Sequence, residues 1–332
     1  MKEQTTALRQ IVRAVTIQSP QQFTFAGRPF TAPAGDHNGS VPPLVKALQE
    51  QLYEHAYTRR FEGRLQEAHA PNGNDDMSQL LSHANTGRER WDQGWQISHI
   101  LPHGQIVVQR PGEERRLWAG EFISEDGPGA PPRLQGQVRI FAPRESLAMQ
   151  PGFYFAFGEE LGDITNMMSC VRFYWNVSVE GVTALLNAWT AAANHYRLPF
   201  RFKCTNQRSH FYRLDTAILY VEQRHAHFTI ELLRDIYPAV RPSLGEETPL
   251  FTRLLAPGLA FAEEPGNGES FGMSRCRLLA QGLWNAFERR APDELQRLAT
   301  IRQTFEQEEI CWQRPYLRPG SVDNYDFPNY DQ

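Results

Sequence analysis

Apolar residues recur at helical spacing near the start of the chain. The segment PPLVKALQEQLYEHAYTRRF carries one apolar stripe after its Pro-Pro start, formed by Leu44, Leu48, Leu52 and Tyr53. This spacing is typical of an amphipathic helix that begins at a proline. Residues 1 to about 90 are therefore predicted to be mostly helical, with loops where Gly, Asn, Pro and Asp cluster.

The apolar period changes to two from Trp91 onward. The stretch WQISHILPHGQIVVQRPGEERRLWAGEF indicates strands that are separated by two turns, His103-Gly104 and Pro111-Gly112. Alternation that is interrupted by such turns is typical of consecutive hairpins. We therefore predict an N-terminal half that is helical plus a β-meander.

Strands and helices alternate in the second half of the chain. Strand periodicity occurs in RFYWNVS, FRFKC and DTAILYVE, and helical periodicity occurs in VEGVTALLNAWTAAANHY and HFTIELLRDIYPAV. A strand, a crossover helix and a second strand can run parallel. After a loop-rich passage, Ser270 is the expected N-cap of the helix FGMSRCRLLAQGLWNAFERR, and DELQRLATIRQTFEQEEICW predicts a final helix. The fold class predicted is α+β, with a mixed sheet and flanking helices in the C-terminal half.

Composition shifts divide the chain into three regions. The segment EDGPGAPPR is rich in Pro and Gly and is interpreted as a linker. We predict an N-terminal region at 1–130 that recognises a peptide or a partner, an α+β domain at 131–312, and a loosely held tail at 313–332.

Bulk composition excludes several classes of protein. The chain has 332 residues, 41% of them hydrophobic, and a formal net charge of −4, which argues against a general nucleic-acid binder. The sequence has no apolar run long enough to span a membrane, and its start lacks the apolar region of a secretory signal, so a cytoplasmic location away from membranes is expected. The cysteines have no metal-ligand spacing and are interpreted as reduced core thiols, Cys170, Cys204, Cys276 and Cys311.

Lysine is scarce in this chain, which makes its position in one strand notable. Of the 34 basic residues 31 are arginine, and the three lysines are Lys2, Lys46 and Lys203. Lys203 lies in FRFKCTN between apolar residues, where alternation directs it away from the core together with Arg201 and Thr205.

The strand RFYWNVS has a polar face as well. Alternation places Arg172, Tyr174 and Asn176 opposite the apolar face. If this strand and FRFKCTN are neighbours, Arg172, Asn176 and Lys203 line one polar surface, with Arg213 and Asp215 within reach. The competing interpretations are a solvated lysine and a surface ion-pair group of little energetic value.

Two kinds of cation suggest two chemical roles. Arginine binds phosphate oxygens with two parallel hydrogen bonds, whereas the pKa of a lysine falls when it is desolvated or lies beside other cations, so that it can act as a base. His210, seven residues beyond Lys203, is a candidate acid, although a histidine in a surface loop is the favoured interpretation. The G-x-S-x-G motif of hydrolases is absent.

Several ordered motifs resemble a known family. They are VPPLVKALQEQLY, ANTGRERWDQGW, PGFYFAFGE, RFYWNVS, PFRFKCTN with YRLDTAILYVE, and PLFTRLLAPGLAFAEEPGNGESFGMSRCRLLAQGL. Over roughly residues 40 to 290 the chain resembles the Hop-A-type effector family, which is known from type III secretion effectors of plant-pathogenic bacteria and from proteins encoded beside peptide-modifying kinases.

The resemblance implies a phosphothreonine or phosphoserine lyase. Such a protein eliminates phosphate from a phosphorylated precursor peptide, as in lanthipeptide and thioamitide pathways, and works with a kinase-like partner. It needs no metal or other cofactor. The alternative is a non-catalytic module of effector type that binds a phosphopeptide or a kinase.

The residues that elimination requires can be assigned on this sequence. Lys203 is the candidate base and His210 the candidate acid. The expected phosphate clamp is Arg172, Arg213, Arg253 and Arg275. Asn176 is expected to hold the peptide carbonyl, and Glu269 to orient an arginine.

Overall fold

A computed structural model describes residues 2–33, 42–66, 75–127, 129–162 and 170–330. The α-helices in these ranges are α1 (Lys2–Ala14), α2 (Pro43–Leu52), α3 (Ser78–Ala84), α4 (Val182–His195), α5 (Ala226–Val240), α6 (Phe271–Glu288) and α7 (Glu294–Gln307). The strands are β1 (Val15–Ser19), β2 (Gln22–Phe25), β3 (Arg28–Thr31), β4 (Arg90–Ile100), β5 (Ile106–Arg110), β6 (Glu113–Leu117), β7 (Phe122–Ser124), β8 (Gln137–Ala142), β9 (Glu145–Ser146), β10 (Phe153–Phe157), β11 (Cys170–Trp175), β12 (Arg201–Thr205), β13 (Ala217–Glu222), β14 (Arg253–Ala256) and β15 (Leu259–Glu263). The α+β fold class is confirmed. The expectation that residues 1 to about 90 are mostly helical is wrong for residues 15–31, because β1, β2 and β3 form a three-stranded antiparallel sheet there.

A seven-stranded sheet forms the centre of the second half, in the order β14-β15-β11-β13-β12-β10-β9. Every neighbouring pair in it is antiparallel. The expectation of a mixed sheet is therefore wrong. The crossover through α4 does connect two strands of the same direction, β11 and β12, but β13 lies between them and pairs antiparallel with both.

The central strands are buried on both faces. All residues of β11 and of β13 are buried, so they form a long apolar run with a few polar side chains. On one face Phe173 contacts Phe261 of the neighbouring strand, with ring centroids 5.4 Å apart. On the other face Tyr174 meets Phe271 of α6, with centroids 6.2 Å apart. The polar residues of this sheet consequently lie inside the fold.

Helix α6 begins at its predicted cap and packs through small residues. The Ser270 hydroxyl accepts a hydrogen bond from the backbone N–H of Met273, as the sequence predicts. Gly272 lies against the ring of Tyr57, where a Cβ would come within 2.4 Å of a ring carbon. Gly282 meets Ile301 of α7 in the same way. Glycine at these positions allows the close approach of α6 to its neighbours.

The N-terminal region packs against the second half. Helix α2 forms as predicted and continues into a π-helical turn, Tyr53–Tyr57. Leu44, Leu48 and Leu52 are buried in the same apolar cluster as the central sheet. The predicted division into 1–130, 131–312 and 313–332 stays a prediction, although this cluster includes residues from all three regions.

The meander forms a separate five-stranded antiparallel sheet, in the order β6-β5-β4-β8-β7. Its turns at His103-Gly104 and Pro111-Gly112 are confirmed, with positive φ at both glycines. The segment interpreted as a linker connects β7 and β8, which pair with each other. It is therefore the loop of a hairpin within one sheet.

The C-terminal segment is held against the central sheet. Tyr316, Leu317, Tyr325 and Tyr330 are buried. The carboxylate of Glu263 accepts hydrogen bonds from the backbone N–H of Arg318 and from the hydroxyl groups of Ser321 and Tyr325. The expectation of a loosely held tail is therefore wrong for residues 313–330.

Three of the four cysteines occupy the predicted core positions. Cys170, Cys204 and Cys276 are buried free thiols, whereas Cys311 is a free thiol at the surface. The core interpretation is therefore wrong for Cys311. None of the helices in the described ranges combines the length and apolarity that crossing a bilayer requires.

Candidate functional site

Lys203 lies in the middle of β12, opposite Phe155 of β10 and Ile218 of β13. Its half-buried ammonium donates a hydrogen bond to the Gln150 side-chain oxygen at 2.8 Å and lies 3.8 Å from the ring centroid of Phe153. Within the described part of the chain it makes no ion pair with a carboxylate. The amide and the aromatic ring stabilise the ammonium group, but neither carries a negative charge that would neutralise it.

The surroundings of Lys203 favour its neutral form. Burial first, and then the positive charges of Arg213, Arg172 and Arg201, lower the pKa of Lys203 to about 8, while Asp215 acts in the opposite direction. A lysine with this pKa is partly deprotonated at neutral pH. It can therefore accept a proton, as the sequence predicts for a base.

Arg172 shares a face with Lys203 but is not adjacent to it. The two strands that carry them are separated by β13, so the direct neighbourhood expected from the sequence is wrong. Tyr220 of β13 lies between the arginines, with its ring centroid 5.0 Å from the guanidinium carbon of Arg172 and 4.5 Å from that of Arg201. Arg172 is buried and paired with Glu264. This pairing satisfies its charge within the fold.

Arg213 lies at the end of the loop between β12 and β13. Its guanidinium binds Asp215 through two hydrogen bonds of 2.8 and 3.0 Å and donates a third, of 3.2 Å, to the hydroxyl of Tyr53. Asp215 is buried. Burial of the Tyr53 phenol, together with the charge of Asp215, raises its pKa and keeps it protonated.

The loop that carries Arg213 is fixed by the N-terminal region. The carboxylate of Asp75 accepts hydrogen bonds from the backbone N–H and the hydroxyl of Ser209, both at 2.6 Å. The backbone N–H of Leu214 donates to the carbonyl of Thr58 at 2.7 Å. The first half of the chain thus positions the charged residues of the second half.

Arg275 and Arg253 have structural partners. Arg275 is fully buried and donates hydrogen bonds of 2.7 Å to the carbonyls of Pro315 and Leu317. Arg253 forms an ion pair with Asp323 at 3.1 Å. Arg275 therefore fastens the C-terminal segment to α6 and Arg253 fastens it to β14, and the guanidinium of Arg275 is not accessible to a phosphate in this structure.

Asn176 and Glu269 also hold parts of the fold together. The side-chain amide of Asn176 donates to the carbonyl of Glu247 at 3.1 Å, beyond the end of β11. Glu269 accepts hydrogen bonds from Gln49 of α2 and Arg277 of α6, at 3.1 and 2.8 Å. Glu269 orients an arginine as predicted, but that arginine is Arg277 and the contact joins two helices.

His210 closes the short 3-10 turn that starts at Arg208. Its half-buried ring lies 6.2 Å from that of Tyr212, measured between centroids. Neither this turn nor the contact with Tyr212 connects His210 to Lys203. Its assignment as the acid stays a prediction.

Four residues of this face were not selected from the sequence: Tyr53, Gln150, Arg201 and Tyr220. Strand alternation in DTAILYVE places Tyr220 on the polar face, and alternation in FRFKCTN does the same for Arg201. Tyr53 and Gln150 are distant in sequence and carry no such signal. In the ranges that the structure covers, no group of three or more His, Cys, Asp or Glu side chains is placed to hold a metal ion.

These features define a class of protein: an α+β fold whose antiparallel sheet carries arginines, tyrosines and one lysine on a single, largely enclosed face. A family model, that of the HopA1 effector protein family, matches residues 144–317, just over half of the chain. The chain therefore belongs to the HopA1 effector protein family, which confirms the resemblance seen in the sequence.

Two solved structures are similar to the chain. The effector protein from Pseudomonas syringae pv. tomato strain DC3000 is 20% identical, with a TM-score of 0.41, and the match covers 52% of this chain and 66% of that one, slightly under two thirds. The effector protein from Pseudomonas syringae pv. syringae strain 61 is 12% identical, with a TM-score of 0.42, and the match covers 83% and 96%. No curated protein matches the chain.

Proposed function

We propose that this protein eliminates phosphate from phosphothreonine or phosphoserine in a peptide, with Lys203 as the base. The observation that carries the proposal is the half-buried lysine whose pKa is lowered to about 8. It lies on a sheet face with Arg172 and Arg201 and lacks a carboxylate partner among the described residues. An amine of this kind accepts a proton at neutral pH, which an ordinary lysine does not.

The reaction requires two bonds to break, Cα–H and Cβ–O, and two to form, the N–H bond on Lys203 and the second bond between Cα and Cβ. The Lys203 amine takes the Cα proton, the electron pair left on Cα forms the Cα=Cβ double bond, and the Cβ–O bond breaks with its electrons leaving on phosphate. The products are a dehydroamino acid and inorganic phosphate. Positive charge near the leaving oxygens stabilises this step.

Arg201 is proposed to meet the phosphate because of its position beside Lys203. It is two residues from Lys203 on the same strand and the same face, a separation of roughly 7 Å along the strand. Arg172 and Arg213 are engaged by Glu264 and Asp215, so in this proposal they act on Lys203 by lowering its pKa. The phosphorylated substrate must come from a kinase-like partner.

A direct assay tests the proposal. Purified protein is incubated with phosphothreonine and phosphoserine peptides, and mass spectrometry follows the loss of phosphoric acid and the addition of a thiol to the alkene. Lys203→Ala and Lys203→Arg are expected to abolish turnover, because arginine keeps the charge but stays protonated. Lys46→Ala, at an exposed position of α2, is the matched control. Turnover by the Lys203 variants at the parental rate would rule out this residue as the base.

The alternative function is a module that binds a phosphopeptide or a kinase without turnover. It is favoured by the pairing of Arg172 and Arg213 with buried carboxylates, which is typical of a fixed structural network. Under this alternative, wild-type protein binds the phosphopeptide and leaves it intact. Lys203→Arg then retains binding because the charge is kept.

A further inference from the structure

The five-stranded sheet lies in residues 90–142, before the region that matches the family model. Its inner face is packed around Trp95, Ile97, Val108, Val138 and Ile140. Its outer face is open to solvent and carries none of the residues discussed above. This outer face has two features that together point to a ligand.

The first feature is an exposed pair of aromatic rings. Trp91 of β4 lies directly opposite Phe141 of β8, and the ring centroids are 5.4 Å apart with the planes inclined by 55°. The two side chains are 39% and 40% exposed. Ile123 of the neighbouring strand β7 is exposed as well. Contiguous exposed apolar surface of this kind is often functional and marks ligand-binding grooves.

The second feature is a row of amide side chains across three strands. Gln109, Gln96 and Gln137 lie directly opposite each other on β5, β4 and β8. Gln96 donates its side-chain N–H to the carbonyl of Gln135 at 3.2 Å, which orients the amide and leaves its oxygen as an acceptor. The side chains of Gln109 and Gln137 are exposed, and no hydrogen bond occupies them within the described ranges.

The three glutamines line a groove of about 750 Å³ that is bounded by the turn at Pro111-Gly112. Gly94 forms part of its floor. It has a φ of +82°, and a Cβ built there would meet no atom within 4 Å, so the backbone lies open between the aromatic pair and the amide row. The face is therefore continuous from Trp91 to Gln96, a distance of roughly 16 Å along the strand.

We propose that this outer face binds a neutral glycan. The C–H face of a sugar ring packs on an aromatic side chain, and the hydroxyl groups of a sugar both donate and accept hydrogen bonds, as amides do. The side chains of Gln109, Gln96 and Gln137 can both donate and accept hydrogen bonds, and they carry no charge. A nucleic acid or another polyanion in the groove is disfavoured, because Glu113 and Glu114 both line it, whereas the arginines of this face, Arg116 and Arg139, lie outside the groove opposite Val107 and Ile123.

Isothermal titration calorimetry with cellohexaose, xylohexaose, chitohexaose and maltohexaose tests the proposal on the full chain, with heparin as the polyanion. We expect at least one neutral hexasaccharide to bind. Trp91→Ala should weaken that binding about tenfold or more, and Gln137→Ala about threefold or more. Trp118→Ala removes a tryptophan that is more exposed than Trp91, from the loop after β6, and should change the affinity less than about twofold.

Four results would overturn the proposal. The first is no binding of any neutral hexasaccharide at millimolar concentration by protein that remains folded by circular dichroism. The second is binding of heparin alone, which makes the face a polyanion site. The third is concentration-dependent self-association that Trp91→Ala abolishes, which makes a second copy of the chain the occupant. Binding that is insensitive to both Trp91→Ala and Gln137→Ala places the glycan elsewhere and contradicts the assignment as well.

Discussion

Replacing Lys203 by methionine is expected to stabilise the fold at neutral pH while it removes the proposed base. Methionine keeps the length of the side chain and removes the charge. Burial lowers the pKa of Lys203 from 10.5 to about 8. This pKa difference between the unfolded and the folded chain corresponds to a destabilisation of the fold by about 3 kcal/mol at pH 7. The value is an upper limit, because the amine is only partly buried. The contact with the Phe153 ring offsets about 1 kcal/mol of this.

The pH dependence provides the decisive part of the prediction. Between pH 8 and 10.5 the unfolded chain holds the Lys203 proton more tightly than the folded chain, so the stability of the wild type rises with pH in this window. The methionine variant lacks this contribution. Its advantage should fall from about 2 kcal/mol at pH 7 to about 1 kcal/mol at pH 9.5, and it should vanish only above pH 10.5, where the unfolded lysine is neutral as well.

Urea unfolding followed by tryptophan fluorescence measures both quantities. Wild type, Lys203→Met and Lys46→Met are compared at pH 7 and pH 9.5. The exposed Lys46 variant should stay within about 0.5 kcal/mol of the wild type at both values. A Lys203→Met protein that is less stable than wild type at pH 7, or that is more stable by the same amount at both pH values, refutes the reasoning.

Three further predictions concern the fold. Ser270→Ala removes the hydrogen bond to the Met273 N–H and should cost about 1 kcal/mol in urea unfolding, with Ser270→Asp retaining most of the stability. Gly272→Ala places a methyl group against the buried ring of Tyr57 and should destabilise the protein by about 1–3 kcal/mol; an unchanged midpoint contradicts the packing described. Cys311 alone should react rapidly with a thiol reagent in native protein, and all four cysteines after denaturation, so rapid native labelling of more than one thiol would conflict with the burial of the others.

Local pattern was sufficient to predict most elements of the fold. The helices α2, α4, α5, α6 and α7 and the strands of the meander lie where apolar periodicity predicts them. The N-cap at Ser270 follows from a residue type that accepts a hydrogen bond from the first turn of a helix. Such features depend on residues close in sequence, which is why the sequence alone determines them.

The partners of the arginines were decided by tertiary structure. Arg275, Arg253 and Arg172 have the residue type of a phosphate clamp, yet they bind carbonyls or carboxylates from segments 40 to 92 residues away. The periodicity of apolar residues within one helix or strand cannot predict a contact between residues so far apart in sequence. The order of the strands was likewise decided by tertiary structure. Because β13 lies between β11 and β12, Arg172 is separated from Lys203.

Lys203 illustrates the contribution of local sequence and the contribution of tertiary structure. Its place on a polar strand face, and its scarcity as a residue type, were evident from the sequence. The lowered pKa was not, because it depends on burial and on charges that only folding brings near the amine. The sequence determines which groups are present and which face of an element they occupy. Their electrostatics depend on long-range packing, which only the tertiary structure decides.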